Sequence, residues 1–189
     1  MNIMSLNMCG IRDRVKRKRL SKLCSVHGVV FLGLQETREW VFPKFRCFMI
    51  NVYAPQTDSH KREFWRMLSN FMVNNRGEYV MFGDFNAVRY RYEKWGCHFS
   101  QREADDFNLF IKEAELVDVP MGAFAYTRIS SNGDKMSKVD RFLLSEGVTG
   151  RFQEMTCFVL ANTISDHRPI CLKEVRQDFG PRPFRFFNS

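Results

Sequence analysis

The stretch EYVMFGDFN, residues 78–86, joins an apolar run to a carboxylate and a carboxamide two positions apart. The apolar part is typical of a buried strand, and Asp84 and Asn86 follow where that strand is expected to end. Gly-Asp-x-Asn is also good turn chemistry, because Asp and Asn side chains bond the neighbouring backbone and glycine tolerates unusual dihedral angles. The rest of the chain decides whether the GDFN motif, residues 83–86, is only a turn or also a reactive site.

Strands and helices alternate on both sides of this motif. Hydrophobic periodicity predicts strands at 2–8, 29–35, 45–55, 78–82, 137–145, 155–161 and 168–175, and helices at 12–28, 58–75 and 100–116. This order predicts an α/β or α+β fold in which sheet layers are covered by helices. We expect one domain over residues 1–175, and over 176–189 a C-terminal tail or a connection to a further domain.

Two of the predicted helices carry specific signals. In the helix at 58–75, Asp58 is the expected N-cap. Its expected apolar stripe is Phe64, Met67, Leu68, Phe71 and Met72. In the helix at 100–116, Ser100 and Glu103 have the spacing of a capping box. Its expected inner face is Ala104, Phe107, Ile111 and Ala114.

Composition narrows the class of protein. The chain has 189 residues, which fits one domain, and its net charge of +8 favours polyanionic partners, nucleic acid first. No apolar run approaches the roughly 20 residues that a bilayer span needs, so no membrane association is expected. The start MNIMSLNMCG lacks the features of a secretory signal, which predicts an intracellular location. The 6 scattered cysteines indicate reduced thiols rather than a disulfide framework or a zinc site.

Acidic residues follow or interrupt several of the predicted strands. Glu36 and Asp84 end strands, Asp140 interrupts an apolar run, and Asp166 comes directly before His167. For any one of them, a solvated turn or a structural histidine is a sufficient explanation. Together, carboxylates and an amide that converge on one rim of a sheet are typical ligands for hard divalent cations and their phosphate substrates.

A set of motifs in fixed order carries a family resemblance. The motifs are LNMCG (6–10), QET (35–37), NVYAP (51–55), GDFN (83–86), SKVDRFLLS (137–145) and SDHRPI (165–170). The set resembles the endonuclease/exonuclease/phosphatase superfamily, which includes pancreatic deoxyribonuclease and the apurinic endonucleases. It is most similar to the endonuclease domain of plant LINE-type (non-LTR) retrotransposon polyproteins. The resemblance implies a deoxyribonuclease-like two-layer β-sandwich flanked by helices.

The resemblance also implies a divalent-metal site. Glu36 would be the principal metal ligand, assisted by Asn7 and Asp166. The expected ion is Mg²⁺, with Mn²⁺ as an alternative.

Catalytic roles are implied for five further residues. Asp84 would orient or deprotonate the attacking water, and Asn86 would hold the scissile phosphate. Tyr53 would contact a phosphate or the leaving group. His167 would donate to the phosphoryl oxygens, with its other ring nitrogen bonded to Asp140. The implied reaction cuts one DNA strand and leaves a 3′-hydroxyl.

DNA is the expected partner of a monomeric, nuclear protein. The resemblance places Thr127 near the DNA-binding rim, and Arg89 and Arg91 lie in an Arg- and aromatic-rich segment suited to phosphate contact and stacking. The basic run at 12–19 fits a nuclear-import signal or a phosphate-contacting face, and equally a solvated helix face.

One departure from the family is an unusually short segment at 37–50. It implies that some strands of one sheet are missing. Two alternatives to an active endonuclease therefore stay open. One is a catalytically inactive, truncated DNA-binding remnant, and the other is an apurinic or phosphoinositide phosphoesterase of the same superfamily.

Overall fold

The computed structural model describes residues 2–5, 22, 24–26, 31–33, 38–42, 45–152, 154–161 and 165–174, with backbone alone at 31–33, 38–42 and 45. In chain order, the described strands are β1 (Asn2–Ser5), β2 (Phe31–Gly33), β3 (Arg38–Phe42), β4 (Phe45–Tyr53), β5 (Glu78–Asp84), β6 (Lys94–Trp95), β7 (Leu116–Asp118), β8 (Met121–Gly122), β9 (Arg128–Ile129), β10 (Met136–Ser137), β11 (Asp140–Ser145), β12 (Met155–Val159) and β13 (Ile170–Glu174). The described helices are α1 (Asp58–Asn74), α2 (Gln101–Glu113) and α3 (Glu146–Arg151), with one 3₁₀ turn at Arg91–Glu93.

These strands form two mixed five-stranded sheets and a small third sheet. The first sheet has the order β2-β1-β13-β12-β8, and the second has the order β3-β4-β5-β11-β7. The small sheet has the order β6-β10-β9. In the second sheet, β5 pairs parallel to β4 and antiparallel to β11.

The second sheet is buried on both faces because its strands alternate side chains between two cores. Met49 and Phe82 pack between the two large sheets, in a cluster that also holds Ile3 and Leu172 of the first sheet. Their neighbours on the opposite face pack against the helices, in a cluster that includes Ile50, Met81, Trp65, Leu68, Phe107 and Phe110. The molecule is therefore a two-sheet sandwich with helices on the outer face of the second sheet, as the sequence predicts.

Helix α1 is capped one position earlier than predicted, and its inner face matches the predicted stripe at Phe64, Leu68 and Met72. Its N-cap is Thr57 rather than Asp58. Trp65 and Leu68 are buried, whereas Met67 is 54% exposed and Phe71 is 39% exposed. The prediction for these last two residues is wrong. On this buried face, the Trp65 ring centroid lies 4.9 Å from the ring of Phe107 in α2.

Helix α2 follows its sequence signals closely. The hydroxyl of Ser100 accepts a hydrogen bond from the Glu103 backbone N–H at 3.3 Å, and Ala104 and Phe107 are buried. In a capping box the Glu103 carboxylate would also accept from the backbone N–H of Ser100. Here the carboxylate accepts from Lys61 Nζ of α1 at 2.6 Å instead. This ion pair joins the two helices.

Within the short segment at 37–50, the described residues 38–42 and 45–50 lie in the antiparallel strands β3 and β4, which pair from Arg38 and Met49 to Phe42 and Phe45. Strand β3 ends the second sheet within the described residues. The segment predicted as one strand at 137–145 is two strands, β10 and β11. The chain passes here from the small sheet to the second sheet: the backbone N–H of Lys138 still donates to the carbonyl of Glu93 beside β6, and Asp140 then pairs with Asp84 of β5.

Several sequence predictions fall partly outside the described residues. Of the basic helix predicted at 12–28, residues 22 and 24–26 are described, and they are helical. The tail at 176–189 lies outside the described residues. The five described cysteines are all free thiols. Among the described helices, none is long and apolar enough to cross a membrane.

Candidate active site

The GDFN motif stands where β5 ends between its two neighbours. Asp84 is paired with Tyr53 of β4 and with Asp140 of β11. Gly83 has φ +128°, and a Cβ at this position would collide with the carbonyl oxygen of Val52. Glycine is therefore required for β5 to lie this close to β4, and the close pairing holds the next residue, Asp84, at the sheet end.

Asp84 is fixed by the turn chemistry that the motif suggested. Its Oδ1 accepts from the backbone N–H of Asn86 at 2.8 Å, and Asn86 itself has φ +47°. The side chain of Asn86 donates from Nδ2 to the carbonyl of Ala54 at 2.8 Å. The turn and the reactive interpretations of GDFN are thus compatible, because the turn orients the carboxylate and the carboxamide.

Strand alternation places both aspartates between the two large sheets. Asp84 continues the face of Phe82, and Asp140 continues the face of Phe142, and both of these aromatic residues lie in the inter-sheet core. His167 comes from the segment just before β13 of the first sheet. The three side chains therefore meet at one end of the sandwich, and all three are buried.

His167 is bonded to one aspartate and faces the other. Its Nδ1 lies 2.9 Å from Oδ2 of Asp140. Because an ionised carboxylate only accepts hydrogen bonds, this contact places a proton on Nδ1. Nε2 of His167 lies 3.8 Å from Oδ2 of Asp84. Asp140 therefore fixes the tautomer and the ring orientation.

The pKa of His167 is raised above its ordinary value by competing causes. Burial disfavours the imidazolium, but the hydrogen bond and charge of Asp140, followed by the charges of Asp84 and Asp166, outweigh it. The ring is thus held closer to its cationic form than an ordinary histidine, which suits a donor to a negatively charged oxygen.

Thr127 joins the two segments that carry this pair. Its hydroxyl oxygen accepts from the backbone N–H groups of Val139 at 3.1 Å and Asp140 at 3.0 Å. Its carbonyl accepts from the N–H of Arg168 at 2.6 Å. Thr127 is fully buried, so its side chain does not lie on the DNA-binding rim as the resemblance implied. It positions Asp140 and His167 instead.

Replacing Thr127 with valine is expected to lower the free energy of unfolding by about 1–3 kcal/mol, because two buried N–H groups lose their acceptor. Urea denaturation would measure the change. Thr127→Ser is the matched control, since it keeps the hydroxyl and loses only a methyl group. Equal stability of the two variants would show that the hydroxyl is not needed.

A polar cleft of about 620 Å³ opens beside these residues. Asn86 and Asp166 line it, together with the basic residues Lys61, Lys94, Arg128 and Lys135. Asp166 accepts from Arg128 Nε at 3.3 Å. Burial acts to raise the pKa of Asp166, but His167 and Arg128 together lower it below its usual range. The cleft thus combines an ionised carboxylate with cations that suit an anionic substrate.

The remaining predicted site residues are placed differently. Tyr53 is exposed at the end of β4, next to Asp84 in the sheet, and Arg91 is exposed. The Arg89 guanidinium donates to Asn108 at 2.7 Å and to Asp118 at 3.1 Å. Arg89 is therefore held by the protein itself. Glu36 and Asn7 lie outside the described residues.

A buried ion cluster beneath the site was not predicted from the sequence. Arg141 donates to both carboxylate oxygens of Glu93, to Asp118 at 2.7 Å and to the carbonyl of Lys138 at 3.0 Å. Burial acts to raise the pKa of Glu93, but bonding to Arg141 outweighs it and the pKa is lowered. The available signal was a charged residue inside the apolar run SKVDRFLLS, which only a buried partner would permit.

The donor set fits a divalent cation in part. Asp84, Asp140 and His167 offer three ligand atoms within 4.8 Å of one another. However, Nδ1 of His167 and Oδ2 of Asp140 are already bonded to each other, which favours proton transfer over closed metal coordination. Asp166, an ionised carboxylate and one of the predicted metal ligands, lines the cleft together with Asp58 and Glu103. Among the described residues it is the one that fits the predicted metal role.

Solved structures with the same fold come from several nucleases and phosphatases. The 3′ phosphatase NExo from Neisseria, bound to a product DNA hairpin, has a TM-score of 0.69 at 16% identity and covers 93% of this chain and 100% of its own. An AP endonuclease from Archaeoglobus fulgidus has a TM-score of 0.67 at 13% identity, covering 92% and 99%. The endonuclease domain of TRAS1, a telomere-specific non-LTR retrotransposon, has a TM-score of 0.65 at 12% identity, covering 94% and 99%. The fold is therefore deoxyribonuclease-like.

The family is shown by sequence. No curated protein matches the chain, but a family model described as "Endonuclease-reverse transcriptase" matches residues 47–171. The chain therefore belongs to the endonuclease–reverse transcriptase family of the endonuclease/exonuclease/phosphatase superfamily. The matched span contains Asp84, Asn86, Asp140, Asp166 and His167. Membership in a superfamily of nucleases and phosphoesterases supports hydrolase activity.

Proposed function

We propose that the chain is a divalent-metal-dependent DNA endonuclease that cuts one strand by water attack and leaves a 3′-hydroxyl. The observation that carries the proposal is the meeting of Asp84 with the buried His167–Asp140 pair, beside a polar cleft that their neighbours Asn86 and Asp166 line. The family match and a neighbour bound to a DNA hairpin support phosphodiester chemistry on DNA.

In this proposal Asp84 accepts the proton of the attacking water. Its Oδ1 is held by the Asn86 backbone, so Oδ2 is the oxygen directed toward His167. Aspartate is a competent general base when the water is placed within hydrogen-bond reach. The burial of Asp84 and its hydrogen bond from the Asn86 backbone hold the carboxylate in one orientation toward such a water.

His167 donates from Nε2 to a phosphoryl oxygen. The Nδ1–H group stays hydrogen-bonded to Asp140, which keeps the ring in a fixed orientation. Nε2 is then directed toward the substrate. The 3.8 Å between Nε2 and Asp84 leaves both groups able to bond atoms of one phosphate and its attacking water. Asn86 and the exposed Tyr53 contact neighbouring phosphate oxygens.

A divalent ion, Mg²⁺ or Mn²⁺, would be held by Asp166 together with Glu36 and Asn7. When bound, it would neutralise charge on the phosphate and stabilise the leaving oxygen. The resulting 3′-hydroxyl would prime reverse transcription at a retrotransposon target site, with the protein acting as a monomer in the nucleus.

Nicking of supercoiled plasmid tests the proposal. We expect relaxed circles to accumulate with Mg²⁺ or Mn²⁺ and the signal to vanish on chelation with EDTA. DNA polymerase extension from the nick checks for the 3′-hydroxyl. Cleavage of an abasic-site oligonucleotide and release of phosphate from a phosphoinositide, each measured separately, would identify the alternative phosphoesterases of the superfamily.

Absence of nicking by a chain that unfolds cooperatively would overturn the endonuclease proposal. Such a result, combined with retained DNA binding, would identify an inactive remnant. A circular dichroism melt of the same preparation distinguishes that outcome from failure of the shortened fold.

A further inference from the structure

Two tyrosines on the surface after the GDFN motif are stacked on each other. The ring centroids of Tyr90 and Tyr92 lie 5.3 Å apart with an interplanar angle of 12°. Tyr90 is 41% exposed and Tyr92 is 72% exposed. Exposed aromatic rings form few favourable interactions with water. None of the catalytic roles assigned above uses these two rings.

The tyrosine pair stands on a rigid base. Glu93 is buried, its N–H donates to the carbonyl of Tyr90 at 3.0 Å, and its carboxylate is held by Arg141. The backbone N–H of Arg89 donates to the same carboxylate at 2.6 Å. A ligand that stacks on the rings therefore meets a segment that is already ordered, which lowers the entropy cost of binding.

The same segment is tied to the active site on one side. Tyr126, the residue before Thr127, donates its hydroxyl to the carbonyl of Tyr92 at 3.4 Å. Lys94, two residues after Tyr92, lines the polar cleft. The stacked pair thus lies on the segment that reaches the wall of the cleft at Lys94.

The charge around the rings favours nucleic acid over an apolar protein partner. Arg91 between the tyrosines is exposed, Lys94 lies two residues after Tyr92, and the whole chain carries a net charge of +8, whereas Arg89 packs on the Tyr90 ring at 5.2 Å and is already paired with Asp118. Alternating basic and aromatic side chains let a strand place its phosphates on the cations and its bases on the rings.

We propose that Tyr90 and Tyr92 form a stacking site for an unpaired base of the DNA strand that enters the cleft. Bases inside a duplex already stack on both faces, whereas a base in a gap, bulge or single strand has a free face. The protein therefore prefers DNA with unpaired bases beside the cut over fully paired DNA. This inference rests on DNA being the substrate, but not on cleavage taking place.

Binding measured without cleavage tests the stacking site. Fluorescence anisotropy in EDTA would compare a labelled duplex, the same duplex with a short internal bulge, and the single strand. We expect the wild-type chain to bind the unpaired DNAs about fivefold to a hundredfold more tightly than the duplex, the range expected for stacking of one base. Tyr92→Ala would remove this preference and leave duplex affinity nearly unchanged. Tyr92→Phe, which keeps the ring, would retain it.

Equal affinity for paired and unpaired DNA, a preference that survives in a double Tyr90→Ala, Tyr92→Ala variant, or binding to none of the DNAs would overturn the inference. Thermal melts of the variants check that they are folded. Because the assay contains no metal, failure of the endonuclease proposal would appear as lost nicking with the binding preference intact. Failure of the stacking site would appear as a lost binding preference with nicking intact.

Discussion

Replacing Asp84 with asparagine is expected to lower the rate of plasmid nicking by about 100-fold to 10,000-fold, the usual contribution of a positioned general base. Asparagine still offers an oxygen to the backbone N–H of Asn86, which Asp84 now receives at 2.8 Å. The turn is therefore retained while the proton acceptor is lost. Initial rates of nicking at saturating Mg²⁺, measured beside a thermal melt, would show an effect on chemistry rather than on folding.

The matched control for this substitution is Asp105→Asn. Asp105 is an exposed residue of α2 whose carboxylate accepts from Gln101 within the same helix. The control removes the same charge from the protein, so any general change in DNA attraction appears in both variants. Nicking by Asp84→Asn at the rate of the control would contradict the role given to Asp84.

His167 and Asp140 extend the same argument because the three side chains act as one unit. Once Asp84 no longer accepts the proton, further loss of His167 is expected to cost much less than it does in the wild-type chain. Fully multiplicative effects of Asp84→Asn and His167→Ala would instead indicate that the two residues serve separate steps.

The sequence predicts those site residues whose identity is restricted by the chemistry they would perform. The GDFN and SDH motifs predict Asp84 and His167 at strand ends. Strand pairing then brings Asp84 beside Asp140, and His167 meets both from the segment before β13. The pairing of His167 with Asp140 was likewise an expectation from the resemblance, and the structure contains it at 2.9 Å.

What the sequence could not predict depends on contacts between distant segments. The resemblance placed Thr127 near the DNA-binding rim, but it did not predict that the hydroxyl caps two backbone N–H groups 12 and 13 residues away. Arg89 was expected to bind phosphate, yet it lies against Asp118, 29 residues away. At Arg89 no local pattern gives this away, since a basic residue in a polar loop can equally face solvent or join a buried cluster, whereas Arg141 at least interrupts an apolar run.

The buried cluster leads to a second large effect, on stability. Replacing Glu93 with glutamine is expected to lower the free energy of unfolding at pH 7 by about 3 kcal/mol, the lower end of the range for breaking a buried ion pair. The lower end applies because Arg141 keeps its hydrogen bond to Asp118 at 2.7 Å. Urea denaturation measures the loss. Glu113→Gln, at an exposed position in the last turn of α2, is the charge-matched control and should change stability by less than about 0.5 kcal/mol.

The pH dependence of this loss identifies its cause. Because the pKa of Glu93 is lower in the folded chain than in the unfolded chain, the unfolded state takes up a proton first as the solution becomes acidic. The stability that Glu93 contributes is therefore fully present above its unfolded pKa of about 4.3 and disappears as pH falls through the folded pKa. The difference in stability between the wild-type chain and Glu93→Gln should shrink between pH 6 and the lowest pH at which both still fold. A difference that stays constant with pH would mean that glutamine destabilises the protein through packing, and that the ionised carboxylate does not hold Arg141 and the segment leading into the active site.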